Sequence, residues 1–598
     1  MAPGRRPHRR GQAGAELRDL SQLDPATKER SQAYEVLSLL EAHGNYKSFE
    51  EARVHAEPEI ERIIKEGFAV RLKSWKQVVG TYGPVAASRL ACIVKDRKDG
   101  TKKARIIIDL RRSGVNRCVQ VDERIVLPRP KDILGNAMHL LRHAAEDEEV
   151  EAMALDFKDA FHTLPVHADE LSYGVAKVFD GEYVVFRTVV FGGEASPLLW
   201  GRAAAYVMRG AQSIFESEHL LGECYVDDPL VLAVGTAQTR RRRFAKFLLW
   251  PILLGLRLSW AKVSRGRRVE WCGVEYRIIS RYVVQAVLAQ AFAQEFKAEI
   301  EQATQRPLIT RSELRRIAGR ASWATGLVPT MRSFIDSLWA TLADLNAASM
   351  GDAGIPWIGR DPQPAAQTSR ILVALAWLHA FLEGIVMGGD PGRTVDVREW
   401  FRQPSIEIVC DASPWGLGTV LWVDGAARAY LFDEVGPADV EELEVEKGSC
   451  KAQAVLEALA IAVAARTWLP RWAQHRTGVR VKSDSMAALG AVGKMASPTP
   501  AINKIAREIA LDVAQSRYGI DVLEHVPGEL NNVADALSRA FEPGVRFVLP
   551  EVLQQAGCTR TPVATRDRSW WRSMALTRAV LEKAAGGRRR RDEPGSAL

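Results

Sequence analysis

Two neighbouring acids set between apolar runs constrain this chain more than any other feature. Cys224-Tyr225-Val226-Asp227-Asp228-Pro229-Leu230-Val231-Leu232 reads as a hairpin of two apolar strands with both carboxylates beside its turn. Burying carboxylates on such a hairpin is unfavourable unless a partner or a cation compensates their charge. Taken alone, the pair fits an acidic hairpin turn as well as a metal site. Divalent cations such as Mg2+ take oxygen ligands, and phosphoryl or nucleotidyl transfer needs two or three carboxylates converging on one spot to hold them. Ala154-Leu155-Asp156-Phe157 offers a third acid at the end of another apolar run.

The rest of the composition limits the background. With 598 residues, 47% apolar and 26% charged, the chain has ordinary globular composition and room for three or four compact units. A net charge of +8 suits a polyanionic partner but also many unrelated proteins. Seven cysteines, with no CxxC pair and no zinc spacing, fit a reduced compartment. Met1 to Gln12 is basic with no apolar segment behind it, and nowhere do 18 apolar residues follow one another. An intracellular protein, cytoplasmic or nuclear rather than secreted and without a membrane partner, is the expectation.

Patterning divides the chain. Residues 1 to 65 form a basic, partly disordered segment in which Ala33 to His43 has the spacing of a short helix. From 66 to 280, strand runs at 105–108, 183–186 and 230–232 alternate with helical stretches at 198–215 and 239–254, an α+β pattern. Residues 281 to 345 read as almost wholly helical, and 346 to 403 as a Gly/Pro linker followed by a connecting helix. A second α/β pattern fills 404 to 540, with strands at 406–410, 417–423 and 478–482 and helices at 450–468 and 499–515. Residues 541 to 598 read as a loose tail in which Arg588 to Arg591 is a solvated run.

Around the acid pair, an ordered series of motifs resembles reverse transcriptases. Tyr225-Val226-Asp227-Asp228 is similar to their motif C, and Asp156-Phe157-Lys158-Asp159-Ala160-Phe161 to motif A. The resemblance implies Asp156, Asp227 and Asp228 as metal ligands and Phe161 as the aromatic gate that excludes a 2′-hydroxyl. Phe191-Gly192-Gly193-Glu194-Ala195-Ser196-Pro197 resembles motif B, whose Gly192 lets backbone approach template and nucleotide. Arg105, in Arg105-Ile106-Ile107-Ile108, resembles the fingers arginine that meets the triphosphate, with Lys95 a second phosphate candidate across the turn at Asp99-Gly100. Lys262, in Gly255-Leu256-Arg257-Leu258-Ser259-Trp260-Ala261-Lys262, matches the motif D lysine; Glu270-Trp271-Cys272-Gly273-Val274 resembles the primer grip. Tyr225 joins Phe161, Phe191 and Gly192 in the implied substrate site.

Four further acids follow in distinct settings: Asp411 after an apolar strand, Glu457 on an Ala/Leu/Ile/Val-rich helix, Asp484 before Ser485, and Asp535 in Asn531-Asn532-Val533-Ala534-Asp535-Ala536-Leu537-Ser538-Arg539. Asp484 taken alone also suits a helix N-terminus. Their order resembles type 1 ribonuclease H, and the closing stretch is similar to the retrotransposon form, without the mobile His loop of other forms; His525 precedes it instead.

Together these motifs are identified with a gypsy-like or DIRS-like retrotransposon reverse transcriptase carrying a ribonuclease H domain. The implied fold is α+β: a right-hand polymerase of fingers, palm and thumb followed by an α/β ribonuclease H-like domain. The implied cofactor is Mg2+, two ions per active site, with Mn2+ as the substitute. The implied partners are an RNA template, a DNA primer, the RNA/DNA hybrid and dNTPs. A catalytically inactive, domesticated nucleic-acid-binding descendant is the alternative, and an RNA polymerase with the same palm is a second, which Phe161 and the nuclease motifs disfavour.

Overall fold

The computed structural model describes residues 44–96, 100–348, 364–387, 392–400, 405–472, 478–515 and 519–592. The expected Ala33–His43 helix, Asp99 of the expected turn and the linker at 349–363 lie outside the described residues. Two compact units emerge, one of residues 1–128 and 143–272, the other of 129–142 and 273–598.

In the first unit, helix α1 (Arg53–Lys65) lays Ala56, Ile60 and Ile63 into a core shared with Leu90, Cys92, Ile106 and Ile108. These last residues belong to an antiparallel pair, β1 (Leu90–Asp96) and β2 (Lys102–Ile108), in which Ile93 faces Arg105 and Lys95 faces Lys103. The segment assigned to a basic, partly disordered N-terminus therefore ends earlier than expected. The reason is an apolar helical face at i, i+4 and i+7, with Phe49 fully buried just before it.

The second sheet of this unit carries the acids. Strand β3 (Glu149–Ala154) lies against β5 (Asp228–Gly235), which forms a hairpin with β4 (Leu220–Tyr225). Its back is covered by α2 (Ser196–Gln212) and α3 (Ala237–Leu253), with Met153, Met208, Val231, Phe244 and Phe247 in one cluster. Strand β5 is buried continuously from Pro229 to Gly235, so only its Asp228 end, beside the half-buried end of β4, leaves a place where carboxylates meet solvent.

The second unit departs from the expected wholly helical 281–345. It opens with an antiparallel pair, β6 (Val274–Ile278) and β7 (Val283–Leu288), extended by β8 (Gly392–Asp396) from the segment expected as linker. Alternation of half-buried and buried residues along 283–286 gives it strand periodicity, and 286–288 are buried throughout. Helices α4 (Gln290–Thr304), α5 (Arg311–Leu327), α6 (Asp336–Ala348) and α7 (Leu372–Val386) follow.

Later in the same unit, a six-stranded sheet has the order β13 (Gly519–His525), β12 (Gly478–Ser483), β9 (Ile406–Ala412), β10 (Gly416–Val423), β11 (Ala426–Glu434), β14 (Thr559–Arg560). Strands β9, β10 and β11 are antiparallel, whereas β12 and β13 run parallel to β9. Helix α8 (Gln453–Trp468) is buried along almost its whole length, α9 (Pro500–Gln515) packs on it, and α10 (Asn532–Ser538) crosses β10. Gly418 is required at that crossing: a Cβ there would lie 2.3 Å from the Ala534 carbonyl oxygen.

Residues 541 to 582 are not the loose tail expected. Strand β14 extends the sheet, Trp571 is fully buried, and the buried Arg566 guanidinium donates to Asp439 at 2.9 Å. A buried arginine held by a buried aspartate ties this segment to the short helix Pro437–Leu443 that follows β11, because breaking the pair would leave an uncompensated charge. The side chains of the Arg588–Arg591 run lie outside the described ones. No helix among the described residues is long and apolar enough to cross a membrane.

Candidate active sites

The hairpin of β4 and β5 places its acids by a strained turn. Tyr225 pairs with Asp228 across it, and Val226 at the turn adopts φ 57°, a costly conformation for a β-branched residue. Two indoles hold the turn in place: Trp200 Nε1 donates to the Val226 carbonyl at 2.8 Å, and Trp271 Nε1 to the Asp228 carbonyl at 2.8 Å. The Tyr225 ring meets Trp271 edge-on. The Phe157 amide donates to the Asp227 carbonyl at 2.9 Å, which locks the two acid-bearing segments together.

As a result Asp156 and Asp228 come into hydrogen-bond contact, with Asp227 adjacent. Burial and the charges of Asp227 and Asp156 push the Asp228 carboxyl up to about 6; Asp227 is raised by burial and by Asp156, against the pull of Arg105 and Lys262. The Lys262 ammonium sits directly on Asp156. These donors fit a hard cation: three carboxylates, two of them raised by burial and by neighbouring carboxylate charge, with an ammonium already against one.

Opposite the acids, Arg105 stacks its guanidinium 4.6 Å from the centroid of Phe191, and Phe191 lies 4.8 Å from the ring of Phe161. Gly192 has φ 117°, and a Cβ there would lie 1.9 Å from the Ile108 carbonyl oxygen, so no side chain fits. Lys95 is exposed on the same face of the β1–β2 pair as Arg105, two residue pairs further out, and makes no contact with the acids. Asn116, which the sequence reading missed, braces the loop, donating to the Gly192 carbonyl and accepting from the Glu194 amide, both at 3.0 Å. Trp200 and Trp271 were missed as supports too, because an indole that fixes a carbonyl has the same sequence signature as a core aromatic.

The second constellation is tighter. Ligand atoms of Asp411, Glu457 and Asp484 all lie within 4.8 Å of one another, the one such acidic trio found among the described residues; Asp156, Asp227 and Asp228 spread wider. Asp411 accepts from Ser538 Oγ at 2.8 Å and Asn531 Nδ2 at 3.2 Å. Glu457 accepts from the Ala412 amide at 3.1 Å, Gln453 Nε2 at 2.9 Å and Ser483 Oγ at 3.4 Å. Even so, burial outweighs these donors. It drives Asp411 up to about 7, helped by the charges of Asp535 and Asp484, and Glu457 up to about 9, helped by Asp411 and Asp484. Two buried acids, both raised, beside a third are a donor set compatible with a divalent cation.

Asp535 stands at the rim, its side chain 41% exposed and paired with Arg539 Nε at 2.8 Å, outside the compact trio. His525 Nε2 lies 3.0 Å from the Asp484 carbonyl oxygen, exposed at the mouth. Gln453, Asn531 and Ser538 were not singled out from sequence as supports. A signal existed for Gln453, one helical turn before Glu457 and so on the same face.

Residues 97–276 match the family described as reverse transcriptase (RNA-dependent DNA polymerase). No curated protein matches the chain. Among solved structures it is similar to the foamy viral protease–reverse transcriptase in complex with double-stranded DNA, at 16% identity and TM-score 0.41, covering 81% of this chain and 84% of that one. The dRH form of that protein with double-stranded DNA gives 15% identity and TM-score 0.41, covering 81% and 71%. The same protein with an RNA/DNA hybrid gives 14% and 0.40, covering 85% and 57%. Likeness at this level leaves the fold to be read from the chain's own geometry.

Proposed function

From a chain that carries a reverse transcriptase domain, an RNA-dependent DNA polymerase, over residues 97–276, we propose a retrotransposon enzyme with two active sites, one that copies RNA into DNA and one that cleaves the RNA strand of the hybrid. The observation that carries the polymerase half is the meeting of Asp156 and Asp228 beside Asp227, across from Arg105, Phe191 and Phe161. In this reading Asp156, Asp227 and Asp228 hold the metal; Arg105 binds the triphosphate through its planar fork; Gly192 lets backbone reach the nucleotide; Phe161 blocks a 2′-hydroxyl; and Lys262 neutralises or protonates the leaving group. Lys95 is assigned an outer phosphate contact, and Tyr225 supports the hairpin from its Trp271 side.

The trio of Asp411, Glu457 and Asp484, with Asp535 at its rim, supports the nuclease half. A pair of divalent cations in each site, Mg2+ or Mn2+, would activate the attacking oxygen and stabilise the leaving one. The partners are an RNA template, a DNA primer, their hybrid and dNTPs.

The alternative, a domesticated and inactive nucleic-acid-binding protein, would tolerate loss of ligands; all seven acids are present and grouped. The decisive experiment is primer extension on poly(rA)/oligo(dT) with Mg2+ or Mn2+ by the full chain. Incorporation of dTTP that disappears in Asp227→Asn is expected. A folded protein that incorporates nothing would sink the polymerase reading.

A further inference from the structure

Phe161 has no polar handle of its own. It sits on a short 3-10 turn, Ala160–Thr163, and touches Phe191. Besides packing against the cluster of Phe157, Ala160 and Trp200, it depends on the backbone just before it, where Asp159 adopts φ 54° and ψ 38°. Aspartate tolerates the left-handed region better than most residues, but holding it there as one conformer takes fixed partners.

The imposing contacts come from two arginines. Arg62 reaches Asp159 with both terminal nitrogens, at 3.1 and 3.2 Å, while its other edge is held by Glu59 at 2.8 and 2.9 Å. Arg257 reaches the same carboxylate at 3.2 Å and is anchored by Glu66 at 2.7 Å. The Asp159 side chain is only 13% exposed. Arg257 lies in the segment whose carbonyl accepts from the Lys158 amide, so it belongs to the acid site's own wall. Arg62 does not: it stands on α1, ahead of residues 97–276, on a helix pinned by Ala56, Ile60 and Ile63. From the opposite side His162 anchors the turn, stacked on Phe68 at 4.8 Å and bonded to Thr188 Oγ1 at 2.9 Å.

We propose that Arg62 is a positioning residue for sugar selection, whose bidentate grip on Asp159 fixes the turn that presents Phe161 to the nucleotide sugar. The proposal rests on the polymerase reading above. A planar fork on a rigid helix sets both distance and orientation of the carboxylate. Without it the turn gains freedom, and a ring displaced by a fraction of an ångström no longer excludes one oxygen atom.

The test measures kcat/KM for dNTP and for the matching rNTP on a primed RNA template with the full chain. Arg62→Ala should lower the dNTP-to-rNTP ratio about tenfold, mainly through KM, and Arg62→Lys should recover part of it. In a Phe161→Ala background, Arg62→Ala should change the ratio no further, since the two act through one gate. A merely structural defect lowers the active fraction for both nucleotides equally and leaves the ratio intact. An unchanged ratio in Arg62→Ala, or an additive fall in the Phe161→Ala background, overturns the proposal. If Arg62→Ala does not fold, Asp159→Asn decides by the same ratio, because asparagine tolerates the left-handed conformation while losing the ion pair. A wild-type chain that incorporates neither nucleotide overturns the polymerase reading and this proposal with it.

Discussion

The two acid centres solve one electrostatic problem in different ways. In the first unit, Asp156 carries its own ammonium, Lys262, which also pulls down on Asp228, raised by burial and its acidic neighbours to about 6, while Arg105 and Lys262 pull down on Asp227. In the second unit, Asp411 and Glu457 are held by neutral donors, an amide nitrogen, two side-chain amides and two hydroxyls, and rise to about 7 and 9. Neutral donors orient a carboxylate without neutralising it. The difference teaches that the Asp411, Glu457 and Asp484 trio would need an external cation to ionise fully, whereas the Asp156, Asp227 and Asp228 trio is partly charge-balanced by the chain.

The largest expected effect tests whether the centres are independent at all. Asp411→Asn should reduce cleavage of the RNA strand of a hybrid about a hundredfold or more while leaving dNTP incorporation within about twofold. The readout is gel analysis of a labelled hybrid beside primer extension by the same preparation. Parallel loss of both activities would break the comparison, since it would mean that one site serves both.

A smaller effect separates the centres by their need for a cation. Asp411 and Glu457 have raised folded values, so their contribution favours the folded state at low pH and is lost as pH rises, for Asp411 between about 4 and 7 and for Glu457 between about 4.5 and 9. Millimolar Mg2+ should therefore stabilise the chain by about 2–3 kcal/mol at pH 8 if it is present at about a hundred times its Kd, and far less at pH 5.5. Thermal unfolding with and without Mg2+ at the two pH values measures this. The Asp411→Asn, Glu457→Gln double variant should unfold at a higher temperature than the parent in metal-free buffer at pH 8. An equal Mg2+ shift in that variant would assign the ion to the other centre.

Much of both sites could be read before the structure, for a physical reason. The candidate metal-ligand acids sit beside apolar runs, and Asp227-Asp228 and Asp411 stand out because carboxylates are otherwise excluded from such places. The reverse transcriptase expectation is met over residues 97–276. What escaped was support that is nonlocal. Asn116 braces Gly192 from 76 residues away and Asn531 reaches Asp411 from 120. No local pattern distinguishes these from surface asparagines. The boundaries failed likewise: α1 and the 541–582 segment are polar enough to read as loose, yet each is fixed by a narrow apolar face or by one buried ion pair, Arg566 with Asp439. Helix α9 shows the same effect inside the second unit, where Asn503 and Arg507 bond Ser333 and Asp336, so that nuclease-like sheet and preceding helices form one compact body.

The smallest effect sharpens the contrast by isolating a group in the first unit that no cation should touch. His162 is 7% exposed, and its burial lowers its folded value to about 4 from an ordinary 6.5. A depressed folded value means that stability is full above the unfolded value and is lost as pH falls through 6.5 towards 4. At pH 5 the loss from this one ring is about 2 kcal/mol. Asp228 responds with the opposite sign, because its raised carboxyl gains stability on protonation between about 4 and 6. The wild-type curve alone therefore mixes both. His162→Gln keeps a partner for Thr188 but does not titrate, so the difference between the two unfolding curves from pH 7 to pH 5 reports His162 alone. That difference should grow to about 2 kcal/mol at pH 5 and stay the same with Mg2+ present. A Mg2+-dependent difference would couple the ring to the acid centre, and the turn carrying Phe161 could no longer be treated as supported independently of the metal.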